Sequence, residues 1–360
     1  MALPGLLRFL WNYHARRKPG GGKRLFLCIC LGIRLIRDYN ESMQNFWKTI
    51  RKPIFALAPL SGIADSAFRR ICRSFGADLV YSELSSSTAF AYQPEPTLGI
   101  MRFNDSERPY VVQLFGNNPE HFAAAARRVT GEIKPDGIDI NFGCPSPKVF
   151  KRGAGAALMT NLPLAREVIS SVIENTHLPV SIKTRTRVRG VDLLRFLDYV
   201  GDLDIKAIMI HGRSYAQGFS GPNDIETTRA ARAHFKGVII ANGGAGSAAQ
   251  GVELLVKTGA DGVGIARGAL GNPWIFRQMK AVYNGCTNGR PTPEDVLRTA
   301  MEHARLSSHL KGRRGIIEMR KHLGWYIRQV PGAKGFRQEA AKIGSLEDVA
   351  DLIERAGRTG

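Results

Sequence analysis

Residues 137–184 read GIDINFGCPSPKVFKRGAGAALMTNLPLAREVISSVIENTHLPVSIKT. The stretch opens on a short apolar run, 137–142. It breaks at Gly143-Cys144-Pro145, continues as a longer amphipathic segment over 162–175, and closes on a second apolar run, 179–184. Short, almost continuously apolar runs are what a parallel sheet covered on both faces requires. The stretch is therefore one strand–helix–strand unit, and the chain repeats it. Other strand-like runs are IFALAP (54–59), DLVYSE (78–83), YVVQLF (110–115), AIMIHG (207–212), GVIIAN (237–242) and GVGIAR (262–267). Helix-like segments lie between them over 65–75, 119–129, 191–202, 223–234 and 247–258, and Asp65, Asn118 before Pro119, and Ser247 are natural N-caps. Eightfold strand–helix alternation predicts an α/β fold of the (β/α)8 TIM-barrel type, with a doubly wound open sheet as the competitor.

The residues at the strand ends favour the barrel. In chain order they are Ser61, Glu83, Gln113, Asn141 with Cys144, Lys183 with Arg185, His211 with Arg213, Asn242 with Gly243, and Arg267. One polar strand end is ordinary, because strands end in polar loops. A whole ring at the C-terminal ends of parallel strands is where a barrel builds its site.

With 360 residues and 44% hydrophobic content, the chain can bury one large domain and a smaller one. The expected division is an extension over 1–45, a barrel over 46–285 and a helical domain over 286–360. The formal net charge of +20 asks for a polyanionic partner, nucleic acid before an anionic membrane surface. A basic proteome background is the bland alternative. The 5 cysteines are scattered and odd in number, which argues against a disulfide framework and against a zinc site; a reducing, cytoplasmic chain without a metal is expected. The apolar run 25–33 (LFLCICLGI) is too short to span a bilayer, and no small-residue cleavage site follows it. Residues 1–45 are expected to be poorly ordered or untranslated, with Met43 a plausible beginning for the folded part. The C-terminal part lacks strand-like runs. Its middle helix interleaves Arg320, Lys321 and Arg328, which suit nucleic-acid contact, with Trp325 and Tyr326, which suit a bundle core.

Two elements address phosphate. ANGGAGS (241–247) is a glycine turn opening a helix, and ARGALGNP (266–273) follows the last strand. Loops after the last two barrel strands commonly bind a phosphate group. A ligand with one terminal phosphate that reaches across a barrel mouth suggests flavin mononucleotide. Lys183 then falls near the flavin's pyrimidine edge, and Gln113 and Asn141 at its amide edges. Cys144 lies in a loop at the same face, where a packing thiol has no reason to be. It stands beside a glycine that permits an unusual backbone, and Lys148 and Arg152 nearby favour thiolate or tune proton donation.

DINFGCPSPKVFKRGAGAAL (139–158) resembles the signature of the tRNA-dihydrouridine synthases. APLSGIADSAFRR (58–70), VVQLFGNNP (111–119), VSIKTRTRVRG (180–190), IHGRSYAQGFSGPNDI (210–225), IANGGAGS (240–247), GVGIARGALGNPWIF (262–276) and RKHLGWYIR (320–328) agree with it in order. The likeness is nearest to the bacterial B-type branch. It implies a TIM barrel with a helical C-terminal tRNA-binding domain, and FMN reduced by NADPH or NADH. It implies hydride transfer to C6 of a D-loop uridine in tRNA, with Cys144 as the acid for C5. FMN contacts are implied at Pro59, Leu60, Ser61, Gln113, Lys183, His211, Asn242, Gly243, Gly244, Ala266 and Arg267. Asn141 and Arg185 would face the uracil, while Lys148, Lys151 and Arg152 grip the flanking backbone. Base flipping is then required, because a stacked uracil cannot reach a barrel mouth. No membrane and no protein partner are implied, and a monomer is expected.

The chain departs from the family pattern at Leu60, where methionine is usual, at Gly244, where aspartate is usual, and at Ala266, where glycine is usual. The missing carboxylate at 244 bears on how the loop beside the flavin phosphate is fastened. Two other functions compete: an FMN-dependent reductase of free pyrimidines, and a non-catalytic RNA-binding module. The charge and the added helices argue against the first. The intact ring with Cys144 and Lys183 argues against the second.

Overall fold

The computed structural model describes residues 45–92, 94–287, 289–329 and 332–358. Apart from its last residue, the expected extension over 1–45 lies outside the described residues, as do Cys28 and Cys30. Eight strands form the core: β1 (Ile54–Leu57), β2 (Leu79–Tyr81), β3 (Tyr110–Phe115), β4 (Gly137–Asn141), β5 (Val180–Arg185), β6 (Ile205–His211), β7 (Val238–Asn242) and β8 (Gly262–Ile265). Each pairs in parallel with its sequence neighbour, and β8 returns to β1 through Ile54 opposite Gly262, so the sheet closes. This is the expected barrel. The open sheet is excluded, because it would leave β1 and β8 unpaired.

Side chains alternate across the wall. Ile138, Ile140 and Ile182 point out to the helices, in one continuous apolar layer with Phe68, Phe122 and Phe196. Ala56, Tyr81, Val111, Met209 and Ile240 fill the lumen, and Trp47 packs with them at the N-terminal end. The glycines of β8 follow from crowding there: a Cβ at Gly264 would stand 2.9 Å from the Met209 sulfur, and one at Gly262 would overlap the Ile54 carbonyl oxygen.

The helices are α1 (Ser66–Ser74), α2 (Ser87–Tyr92), α3 (Pro94–Met101), α4 (Pro119–Arg128), α5 (Pro147–Lys151), α6 (Leu162–Ile173), α7 (Leu193–Val200), α8 (Ile225–His234), α9 (Ala248–Thr258) and α10 (Ile275–Tyr283). The three expected caps are made: Asp65 accepts from Phe68 N, Asn118 from Glu120 N and Ser247 from Gln250 N. The sequence placed a helix from Val191, but Val191–Asp192 instead pairs with Arg187–Val188 as a hairpin, and Asp192 caps α7 behind it. Helices α2 and α3 were not foreseen. Pro94 opens α3, where a missing N–H costs nothing.

Four further helices follow: α11 (Pro293–Lys311), α12 (Arg313–Tyr326), α13 (Ala333–Ala340) and α14 (Leu346–Gly357). They share a core of Val296, Ala300, Ile316, Leu323, Tyr326 and Leu352, into which the barrel contributes Trp274. The bundle docks on α1. His303 and His322 lie against the Phe68 ring at 5.7 and 5.2 Å between centroids, and the Lys311 ammonium meets Asp65 at 2.7 Å. Gly271, just beyond β8, has a left-handed φ of 66° and no room for a Cβ against the Trp325 backbone, so bundle and barrel touch there main chain to main chain. Tyr326 is core, as expected. Arg320 donates to the Ile343 carbonyl at 2.8 Å and Lys321 to the Gly62 carbonyl, while Arg328 is exposed. Among the described residues, no helix is long and apolar enough to cross a membrane.

Candidate active site

The polar strand ends converge at the C-terminal mouth of the barrel. On one side a chain of side-chain hydrogen bonds crosses three strands. Asp139 accepts from Gln113 Nε2 at 2.7 Å and from Ser181 Oγ at 2.7 Å. Gln113 Oε1 accepts from Asn141 Nδ2 at 3.0 Å, and Asn141 Oδ1 accepts from the backbone N–H groups of Gly143 at 3.0 Å and Cys144 at 2.8 Å. These neighbours are dictated by register, because Gln113, Asp139 and Ser181 are direct cross-strand partners. The turn bearing Cys144 is thus tied to the barrel wall by its own N–H groups.

The far side of that turn is also fixed. Ala156 N donates to the Cys144 carbonyl at 3.2 Å. Gly155 has φ of 61°, and a Cβ on it would stand 2.9 Å from the Cys144 Cβ. Glycine at 155 is therefore required both by conformation and by space. The glycines of this loop with a left-handed φ are Gly153 and Gly155, and Gly143 beside the thiol is not among them. Gly143 lies close on the β5 backbone, where a Cβ would stand in ordinary contact, 3.4 Å from the Thr184 carbonyl oxygen. Cys144 itself is half-buried, with Lys148 and Arg152 exposed beyond it on and after α5.

Arg185 is buried and acts as a clamp. Its Nε donates to the Gly143 carbonyl at 2.8 Å, and its Nη1 donates to the carbonyls of Ser214 at 3.0 Å and Gly218 at 2.9 Å. The loops after β4 and β6 are joined through it. Lys183 donates to Asn242 Oδ1 at 3.0 Å, and Asn242 Nδ2 donates to the Gly264 carbonyl at 2.7 Å. Burial, with Arg185 beside it, pulls the Lys183 ammonium down to about 8; Asp139 and the Cys144 sulfur pull the other way. Burial pushes Asp139 up to about 6 against its hydrogen bonds to Gln113 and Ser181. Glu83 is half-buried at the end of β2, accepts from Gly62 N, and is pushed up by burial.

The opposite side of the mouth is cationic and lined by glycines. Gly243 and Gly244 have φ of 114° and 70°. Asn223 fills the space their missing side chains leave. Its Nδ2 donates to the Gly243 carbonyl at 2.8 Å, and a Cβ at 212, 243 or 244 would fall within 2.9 Å of its atoms. Gly268 lies against the Ala245 carbonyl, which a Cβ there would overlap, so the loops after β7 and β8 are packed together. Lys183, Arg185, Arg213 and Arg267 surround His211, which burial and these four charges depress to about 2 and hold neutral. None of the four makes a salt bridge among the described residues. The ring of Phe219 covers this corner, 4.9 Å from the Arg267 guanidinium and 5.8 Å from that of Arg185.

Pro59 and Leu60 are half-buried and Ser61 is exposed at the end of β1, and Ala266 precedes the turn Arg267–Ala269. The expected strand-end residues thus lie together at this mouth, while Lys148 and Arg152 are exposed on the segment that follows Cys144. Three neighbours were not singled out. Asp139 carried a signal, since period-two alternation on β4 puts it on the lumen side with Asn141. Asn223 and Phe219 carried none, because their position depends on how the loop after β6 folds back. A surface hollow lined by Arg127, Glu174 and His177 lies at the opposite end of the barrel and shares no residue with this ring.

The corner fits a phosphorylated flavin. Buried His211 Nδ1 and Asn223 Oδ1 have no partner, and Lys183, Arg185, Arg213 and Arg267 make no salt bridge among the described residues. Among the described residues, no group of three or more His, Cys, Asp or Glu is placed to hold a metal ion.

Comparison with known proteins gives the same class. The family model described as dihydrouridine synthase (Dus) matches residues 56–358. A probable tRNA-dihydrouridine synthase 1 of Synechocystis sp. is 31% identical over 303 residues, 83% of this chain and 85% of the relative. The tRNA-dihydrouridine synthase B of Pseudomonas aeruginosa is 33% identical over 300 residues, 81% of this chain and 88% of its own. Among solved structures, histamine dehydrogenase from Rhizobium sp. 4-9 shares the fold with a TM-score of 0.50 at 12% identity, over 70% of this chain and 48% of that one. The protein is an oxidoreductase built on a (β/α)8 barrel. It belongs to the dihydrouridine synthase family.

Proposed function

We propose that this chain reduces the C5=C6 bond of a D-loop uridine in tRNA, with FMN bound at the barrel mouth and NADPH as the reductant. The carrying observation is the thiol of Cys144, held on a turn tied down from both sides and within electrostatic reach of Lys183 and Arg185. FMN, when bound and reduced by NADPH, supplies a hydride to C6. Cys144 gives its proton to C5 from the opposite face and is left as thiolate, which regains a proton from solvent. Lys183 and Arg185 both interact electrostatically with that sulfur, so the charge left behind is stabilised in place.

Gln113, Lys183, His211, Asn242 and the turn Gly243–Gly244 are the residues placed to hold the flavin, with Arg267 at its phosphate and Pro59, Leu60, Ser61 and Ala266 closing the rim. Asn141 addresses the uracil. Arg185 acts mainly through the loops it clamps. Lys148, Lys151 and Arg152 are exposed beside Cys144 and grip the phosphates flanking a flipped base. The helical domain and the net charge of +20 carry the tRNA body. We place the reaction in a reducing cytoplasm, where Cys144 stays a free thiol.

The test is direct. Purified protein is incubated with NADPH and unmodified tRNA, and tRNA fragments are weighed. A gain of two hydrogens in a D-loop fragment is expected, with loss of at least about a hundredfold in Cys144→Ala that keeps its flavin. Reduction of free uracil or orotate without tRNA would replace this reading by a free-pyrimidine reductase. Protein that takes up no flavin would leave an RNA-binding barrel.

A further inference from the structure

Asp139 is a carboxyl group fully buried in the barrel wall, and the reaction above makes no use of it. Burying a carboxylate is costly, so its place needs a reason. A carboxylate accepts hydrogen bonds and donates none. Facing Asp139, the Gln113 amide must present its NH2 group, and the bond is made at 2.7 Å. That leaves Gln113 Oε1 pointing at Asn141, which must then present its own NH2 group, at 3.0 Å. Asn141 is left with its oxygen toward the Cys144 turn, where two N–H groups need an acceptor and find it at 3.0 and 2.8 Å. Each amide has one donor end and one acceptor end. An acceptor fixed at Asp139 therefore fixes an acceptor at the turn, two side chains away. An isolated Gln–Asn pair could sit either way round. In the reversed arrangement the Asn141 NH2 would face the N–H groups of Gly143 and Cys144.

We propose that Asp139 is a positioning residue for Cys144: through Gln113 and Asn141 it sets the hydrogen-bond polarity that holds the turn carrying the thiol. The proposal rests on Cys144 being the acid, but it is tested without that assumption. In the full chain, the rate at which iodoacetamide alkylates Cys144 is followed by peptide mass mapping, which separates it from exposed Cys286. Reduction of tRNA is measured in parallel.

Asp139→Asn can donate to Gln113 and so allows reversal. It is expected to change the Cys144 alkylation rate severalfold and to lower tRNA reduction by roughly tenfold, the size of one or two buried hydrogen bonds. Asp139→Asn combined with Gln113→Glu restores the polarity, because the new amide at position 139 donates to the new carboxylate at position 113, which still accepts from Asn141. The double variant is expected to return the alkylation rate to within about twofold of the native chain. Ser181→Ala removes the other bond to the carboxylate and leaves the chain of amides intact, so Cys144 should react as in the native protein. Gln113→Leu cuts the chain without a charge, and should reproduce the alkylation change even if Asp139→Asn does not fold.

A folded Asp139→Asn or Gln113→Leu with native Cys144 reactivity overturns the proposal. So does a Ser181→Ala effect as large as theirs, which would mean general loosening of the wall. A native chain that reduces no tRNA overturns the proposed function instead, and the alkylation series still decides on Asp139.

Discussion

Lys183 shows how a single side chain is prepared for an anion. It is half-buried by surface area, yet surrounded closely enough that its ammonium is drawn down to about 8. In the unfolded chain the same group titrates near 10.5, so between pH 8 and 10.5 the native state binds fewer protons than the unfolded one. The fold therefore gains stability as pH rises through that window, and holding the charge below it is a cost. An anion at the mouth repays the cost, and only the protonated form can do so. FMN affinity, read by quenching of flavin fluorescence, should be highest below pH 8 and fall as pH rises beyond it. Lys183→Met should bind more weakly and lose this dependence. A native affinity flat from about pH 7 to 10 would remove Lys183 from the flavin site.

At the scale of elements, the mouth is made of loops that hold one another. Arg185 joins the loops after β4 and β6, and Asn223 joins the loops after β6 and β7. The usual aspartate of the loop after β7 is absent here, and the structure gives a physical reason: the side chain of Asn223 occupies the space, its Nδ2 2.9 Å from a Cβ at position 244. Gly244→Asp in the native chain should therefore weaken flavin binding by clash. The same change with Asn223→Ala should be better tolerated, and Asn223→Ala alone should cost roughly tenfold in affinity. Equal weakening in Gly244→Asp with and without Asn223→Ala would show the two positions to be independent. Helix α5 carries the charge next to the thiol. Replacing Lys148 and Arg152 together by alanine should leave flavin content unchanged. It should weaken tRNA binding and reduce the slope of log affinity against log salt by about one to two, as expected for lost phosphate contacts.

Across the whole molecule, the seam between barrel and bundle is built on neutral histidines. His303 is fully buried against Phe68 and Tyr326, and burial depresses it to about 4 despite nearby Asp65. His322, 4.5 Å away between rings, is also held well below its ordinary value, again first by burial. The unfolded chain takes up these protons near 6.5, so stability is complete above that pH and is lost as pH falls toward 4. For His303 the loss amounts to about 3 kcal/mol. The thermal midpoint should drop steeply between pH 6.5 and 4, and His303→Leu should flatten the drop. A midpoint indifferent to pH in this range would mean that the seam opens before the chain unfolds.

The barrel was legible because parallel strands buried on both faces write themselves as short apolar runs, and their sequence order is their order in the sheet. The ring of site residues was legible for the same reason: each sits where a run ends, and a closed barrel brings all such ends together. Helices α2 and α3 and the hairpin at Val191 were not, because the short runs 87–92, 94–101 and 187–192 carry no clear apolar periodicity of either kind. Asp139 reads in sequence as one polar residue in an apolar strand, and only the registers of β3, β4 and β5 put it opposite Gln113 and Ser181. Asn223 and Phe219 reach the mouth only because their loop folds back over it, held by Arg185 and packed on glycines of two different loops, Gly212 and the pair Gly243–Gly244. The sequence by itself determined the order of strands and which residue types stand at their ends, since both follow from local periodicity. The tertiary structure alone decided which of those residues touch, which way each amide faces and which charges go unpaired, since these depend on distances between strands and loops that no local pattern records.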